Sequence, residues 1–329
     1  MNGNKAYELQ YENEIKKIIN KTPELQGFYA YIGDKALSTV CNYLGHVSNF
    51  LRYIDKPVSQ VNFDDFNGYL MTSRKSKNGE TTTSSYRIVV YQALKKYSKY
   101  LVARGVLKTD PMDSIDRPKA VESQKTIEKR EIGYLSKAEI TKYINSVDIG
   151  VGSNMSKSFQ KEWRERDKAI IIVFLNTGLR RAALMKLDVN SINFEDKNLI
   201  VTDKEGKVDT YSLSDEVLEI LNAWLRKREK LLNGKHEDAL FISNRRQRMN
   251  QRAIYDIVKK YASNIKGKNI TPHKLRATYG TQLYEATKDI YFVQDCMHHA
   301  NPQTTELYIR GNKNQTKKAS DIMKNLTIK

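Results

Sequence analysis

Apolar residues in the first third of the chain recur at three- and four-residue steps. Leu37, Val40, Tyr43, Leu44, Val47, Phe50 and Leu51 form the stripe of a helix with one buried face. Upstream, Tyr11, Ile15, Ile18 and Ile19 show weaker helical spacing in a polar stretch, which predicts a short helix or loose arm over residues 1–22. Lys56-Pro57 ends the long stripe, because the residue before proline disfavours the α region. Val61 to Met71 reads as a short helix, and residues 74–83 (RKSKNGETTT) as a polar loop. From Ser84 to Gly105 a further helix is predicted, its apolar stripe made by Val90, Leu94, Tyr97 and Leu101. The neighbouring face carries Ser84, Arg87, Tyr91 and Lys95, with Lys96 and Lys99 further round. Basic and hydroxyl side chains at that spacing can touch successive phosphates of a duplex. Ser84, Arg87, Tyr91, Lys95 and Lys99 are therefore candidate DNA contacts.

Asp110-Pro111 is expected to end this helical bundle. Residues 114–132 carry Pro118, many charges and few apolar side chains, the composition of an exposed linker. A second domain begins near Tyr134, where Ser136 and Glu139 have the spacing of a capping box. A long helix is predicted from Trp163 to Leu179, with a continuous apolar run from Ala169 to Leu175. Two short strands follow, Leu199 to Thr202 and Asp209 to Leu213, joined by a turn containing Gly206 as a β-hairpin. Helices return at Asp215–Leu232, at Gln251–Ile265 and after Thr271. Arg245, Arg246 and Arg248 precede the second of these and are further candidate DNA contacts. Near the end, Ala319, Ile322, Met323 and Leu326 lie at helical spacing. The expected organisation is an arm (1–22), a helical domain (23–113), a linker (114–132), a mixed α/β domain (133–314) and a tail helix (315–329). The fold class is mainly α with a small β-sheet.

Length and composition narrow the function. The 329 residues favour two domains, and 40% hydrophobic residues are enough for real cores. No stretch approaches the ~20 apolar residues of a membrane span. The polar N-terminus has no signal-peptide core, so a cytoplasmic location, at the nucleoid, is expected. Cys41 and Cys296 are far apart, which excludes a disulfide framework and a cysteine zinc site. Charge changes the picture most. Lys and Arg number 56 against 38 Asp and Glu, a net charge of +18, and such an excess points to nucleic acid.

The chain lacks the phosphate loop GxxxxGK[ST], a GxGxxG after a strand, HExxH and GxSxG. No close cluster of Asp and Glu suggests a two-metal nuclease, and no cofactor or metal is expected. What remains is a set of cations, imidazoles and a tyrosine: Arg180 in Thr177-Gly178-Leu179-Arg180, His273 and Arg276 at i and i+3, His298-His299, a lysine in the hairpin, and Tyr308. This set suits phosphodiester transesterification. Arginines clamp the non-bridging phosphate oxygens as charge grows on them. A tyrosine oxygen attacks phosphorus and stores the bond as a phosphotyrosine ester. A lysine or histidine protonates the leaving 5′-oxygen.

The stretches TGLRRAAL (177–184), TPHKLRATYGTQL (271–283) and HHANPQTTELYI (298–309) resemble the three catalytic boxes of the tyrosine recombinase (phage integrase) family, in order and separation. The first domain resembles that family's helical core-binding module, so the likeness spans roughly residues 25 to 329. It implies catalytic roles for Arg180, His273, Arg276 and His299, with Tyr308 as nucleophile. The hairpin lysine is Lys204, with Lys207 as the alternative. Two positions depart from the pattern. Ala183 stands where the family often has Glu, and the family's LGH reads Met297-His298-His299, placing an imidazole where glycine is usual.

The resemblance further implies a homotetramer on two double-stranded DNA sites, exchange through a Holliday junction, and accessory DNA-bending or directionality proteins as partners. The tail helix is a candidate for docking on a neighbouring protomer, as in relatives, with folding back on its own domain as the alternative. The biological role expected is the integrase of a mobile element. A chromosome dimer resolvase, a DNA invertase, a type IB topoisomerase and an inactive DNA-binding relative remain as alternatives.

Overall fold

Most of the expected helices form, and several begin at the capping residues that the sequence supplies. The computed structural model describes residues 3–74, 79, 81–119, 133–202 and 208–298. Lys204, Lys207, His299, Tyr308 and the tail lie outside them. The chain divides into two units, residues 5–124 and residues 125 onward, which are taken separately below. Among the described residues no helix is long and apolar enough to cross a membrane.

The described elements of the first unit are helices: α1 (Gly3–Lys21), α2 (Gln26–Tyr31), α3 (Leu37–Ile54), α4 (Phe63–Thr72) and α5 (Ser84–Ala103). Asn62 starts α4 by accepting from the Asp64 and Asp65 amides, while Asp65 caps Asn62 in return. Thr83 caps α5 through the Tyr86 amide. The predicted stripes of α3 and α5 meet in the core, where Val40, Leu44, Val47, Val90 and Leu94 are fully buried and Phe50 stacks on Phe66 at 4.6 Å.

Two expectations for this unit need correction. The bundle does not end at Asp110-Pro111, because the chain folds back over α5 as far as Ile115, burying Met112 completely. That return covers part of the face assigned to DNA. The Tyr91 hydroxyl donates to the Ile115 carbonyl at 2.9 Å. The Lys95 ammonium sits 2.6 Å from Asp113 and 3.0 Å from Asp110. Burial disfavours the Lys95 charge, but the hydrogen bonds to Asp113 and Asp110 outweigh it and raise the pKa. Lys95 and Tyr91 hold the bundle together and do not offer a free charge and hydroxyl to a phosphate. Lys99 is exposed, and Ser84 and Arg87 are half-buried.

The second unit is built round a helix buried on all sides. Helices α6 (Lys137–Ile149), α7 (Asn154–Glu162) and α8 (Arg164–Thr177) lead in. The helix expected from Trp163 to Leu179 forms as α8, whereas α7, capped by Ser153, was not anticipated. Ala169 to Phe174 are buried, as the apolar run predicts for a central helix. Short α9 (Arg181–Lys186) leads to the sheet β1 (Ile192–Asn193), β2 (Asn198–Thr202) and β3 (Val208–Ser212). The order is β1-β2-β3, antiparallel throughout, with Leu199 opposite Tyr211 and Val201 opposite Asp209. Period-two alternation buries Leu199, Val201, Asp209 and Tyr211 on one face. Then come α10 (Asp215–Leu232), α11 (Gln251–Tyr261), α12 (Pro272–Thr287) and α13 (Ile290–Cys296). The expected capping box of Ser136 and Glu139 forms at α6.

A buried carboxylate braces α8 against α11. Asp167, fully buried, is held by Arg166 at 2.8 Å, Lys260 at 2.8 Å and the Tyr261 hydroxyl at 2.8 Å. Breaking such a network leaves an uncompensated buried charge, which typically costs about 3–5 kcal/mol.

Candidate active site

The first arginine box is a helix end followed by a new start. Gly178 terminates α8 at φ +61°, a left-handed conformation that glycine adopts freely. A Cβ there would lie 2.5 Å from the Tyr279 ring, so glycine also lets α12 close on this turn. Leu179 is buried beyond it, and Arg180 then stands at the position before the first turn of α9, exposed. The second box opens α12, where Thr271 accepts the Lys274 amide and Pro272 occupies the first turn. His273 on that turn is exposed, whereas Arg276, one turn on, is 4% exposed.

Arg276 links the pieces. Its guanidinium donates to the Gly178 carbonyl, and to the Met297 carbonyl at 2.7 Å. One planar fork thus ties the end of α8 to the end of α13, a geometry that lysine cannot reproduce. Arg180, His273 and Arg276 line one cavity of about 380 Å³, together with Arg181, Gln251 and Tyr255. A larger cavity of about 670 Å³ lies apart from them, beside Trp163 and Arg245. Its Arg166 and Lys260 are engaged by Asp167, so volume alone does not mark the cationic site.

Residues 153–315 match the model of the phage integrase family. The tyrosine recombinase XerC of Caldanaerobacter subterraneus subsp. tengcongensis is 29% identical over 319 residues, covering 94% of this chain and 84% of that protein. The tyrosine recombinase XerS of Streptococcus thermophilus is 33% identical over 181 residues, 54% of this chain and half of its own. Among solved structures, the XerH site-specific recombinase bound to palindromic difH in a post-cleavage complex superposes with a TM-score of 0.70 at 19% identity. It covers 95% of this chain and 89% of that one. Residues 153–315 of this chain belong to the phage integrase family of tyrosine recombinases. The chain's activity class is site-specific DNA breaking and rejoining.

Within this recombinase the site has features that motif spacing did not reveal. Arg181 hydrogen-bonds Gln251 at 3.1 Å and lies over the Tyr255 ring, which adds a second cation beside Arg180. The doubled arginine in TGLRR was its only sequence signal. Burial pushes the hydroxyls of Tyr211 and Tyr279 up to about 12, so both stay neutral. His298 adopts φ +49°, and its Nδ1 lies 3.1 Å from the Asp209 carboxylate. Nothing in the sequence marks Asp209 as its neighbour.

One candidate DNA contact is corrected here. Residues 243–248 form a tight turn in which the Ser243 amide donates to the Gln247 carbonyl. Arg245 and Arg246 project from the turn and are exposed. Arg248 points inward with 5% of its side chain exposed. Its guanidinium donates to the carbonyls of Met185 and Leu187, at 3.1 and 3.0 Å, and pairs with Asp188. It anchors the turn to the end of α9 and is unavailable to DNA.

Proposed function

We propose that this recombinase exchanges DNA strands through a 3′-phosphotyrosine intermediate. Tyr308 attacks the scissile phosphate, Arg180 and Arg276 hold its non-bridging oxygens, and Lys204 protonates the leaving 5′-oxygen. His273 and His299 assist the proton transfers. The observation that carries this reading is the cavity lined jointly by Arg180, His273 and Arg276, which come from two sequence boxes far apart. The positive charge of the two guanidiniums stands where other phosphoryl-transfer enzymes use a Lewis acid, so cleavage is expected to proceed in excess EDTA. Four protomers on two duplex sites would cleave, swap and rejoin strands in two rounds through a Holliday junction. Residues 116–132 would join the helical domain to the catalytic domain, and the tail would link protomers. Lys99, Arg87, Ser84, Arg245 and Arg246 would contact the phosphate backbone.

The test uses a nicked suicide substrate carrying the recombination site. The wild-type chain should form an SDS-stable protein–DNA adduct, and Tyr308→Phe should not. An adduct that survives in Tyr308→Phe and maps to another tyrosine overturns the assignment.

For the biological role, resolution of chromosome dimers is favoured over service to a mobile element. The relative aligned along 94% of this chain is a Xer recombinase, which supports that choice. Recovery of the DNA bound in cells discriminates the two. A chromosomal site remote from the gene agrees with resolution, and a site flanking the gene restores the mobile-element reading.

A further inference from the structure

His298 occupies a turn conformation that side chains with a Cβ avoid. Its φ of +49° lies in the left-handed region, where a non-glycine residue is strained unless its surroundings hold it there. The surroundings do hold it. Nδ1 lies 3.1 Å from Asp209 Oδ1, and the ring meets Tyr211 edge-on at 4.6 Å and 64°. Asp209 and Tyr211 both stand on β3, on the buried face of the sheet, and Asp209 is only 8% exposed. A carboxylate in such a place needs donors, and the imidazole supplies one.

The segments that this contact joins are the ones that matter to the reaction. β3 is the strand that leaves the connection containing Lys204 and Lys207. His298 directly precedes His299, and the carbonyl of Met297, one residue earlier, is the acceptor that Arg276 uses. We infer that His298 is a positioning residue of the recombinase: bridged to Asp209, it sets the strand leaving the lysine connection against the turn that leads to His299, beside Arg276. This rests on the strand-exchange reading above. It also accounts for an imidazole standing where glycine would be the unstrained choice, since glycine would relax the turn but cut the link to β3. Small displacements of proton-transfer groups cost rate heavily.

The experiment compares the full-length wild type with His298→Gly and His298→Asn on the nicked suicide substrate. Three quantities are read: single-turnover adduct formation, affinity for one site, and melting temperature. Asparagine tolerates left-handed φ, and its amide can donate to Asp209 from a similar position. His298→Gly should slow adduct formation by about 10- to 100-fold. Its site affinity and melting temperature should stay close to wild type, because the left-handed strain that glycine relieves offsets the donor that Asp209 loses. His298→Asn should recover most of the lost rate. Adduct formation by His298→Gly at the wild-type rate overturns the inference, as does a rate for His298→Asn no better than for glycine. A parallel loss of affinity and melting temperature also overturns it, since the histidine would then serve folding alone. Absence of any adduct from the wild type would remove the strand-exchange reading and this inference with it, an outcome distinct from the others.

Discussion

The two arginines of the cationic cavity have the same side chain and different surroundings, and their substitutions should differ accordingly. Arg180 is exposed at the start of α9. Arg180→Ala should slow cleavage by on the order of 10²-fold or more, as expected when a transition-state donor is removed, and leave the melting temperature unchanged. Arg276 is buried and donates to the Gly178 and Met297 carbonyls. Arg276→Ala should lose a similar factor in rate and also about 2–4 kcal/mol of stability, because buried acceptors lose their donor. Denaturant melts beside single-turnover cleavage check both. Equal stability of the two variants would show that the Arg276 fork does not support the fold. Arg180, His273 and Arg276 stood out in the sequence as candidates because of their motif spacing, and they line one cavity. That one of them also braces the fold was not legible there, because its acceptors are backbone carbonyls that any residue would present.

At the scale of elements, the same basic composition splits into outward and inward uses. In the 243–248 turn, Arg245 and Arg246 are exposed while Arg248 reaches Met185, Leu187 and Asp188. Arg248→Leu should destabilise the catalytic unit by about 2–4 kcal/mol and leave the salt dependence of DNA binding intact. Arg245→Ala and Arg246→Ala should leave stability intact, weaken binding across all sequences and each reduce the salt slope by about 1. Titrations at several salt concentrations, run beside melts, separate the two kinds of arginine. A weakened salt slope in Arg248→Leu at unchanged stability would reverse the assignment. Helix α5 teaches the same lesson. Its apolar stripe read correctly from spacing, but its polar face did not, because Asp110 and Asp113 return to cover Lys95. Spacing within a helix tells which residues share a face; what lies opposite that face comes from another segment.

For the whole molecule, the net charge of +18 predicts binding dominated by phosphate contacts. Affinity for a site-bearing duplex should fall by on the order of 10³-fold or more between 50 and 200 mM salt if about six phosphates are neutralised. Binding measured across that range checks it, and a flat profile would show that the excess charge serves solubility instead. The single-turnover cleavage rate of the already bound complex should change far less, since Arg276 is buried and bulk ions screen buried charges weakly.

The sequence by itself determined where most of the helices and the two hairpin strands form, that there are two units, and which residues are candidates for the chemistry. Those properties depend on local periodicity, capping side chains and motif spacing, all of which are written in consecutive residues. Only the tertiary structure decided which charges are free to act. Lys95, Arg248 and Asp209 each find their partners on a different segment of the chain, and a side chain's availability depends on what packs against it. His298 shows the distinction most directly. Its position in the motif was visible in the sequence, but its bond to Asp209 exists only because the folded chain brings β3 beside the turn after α13.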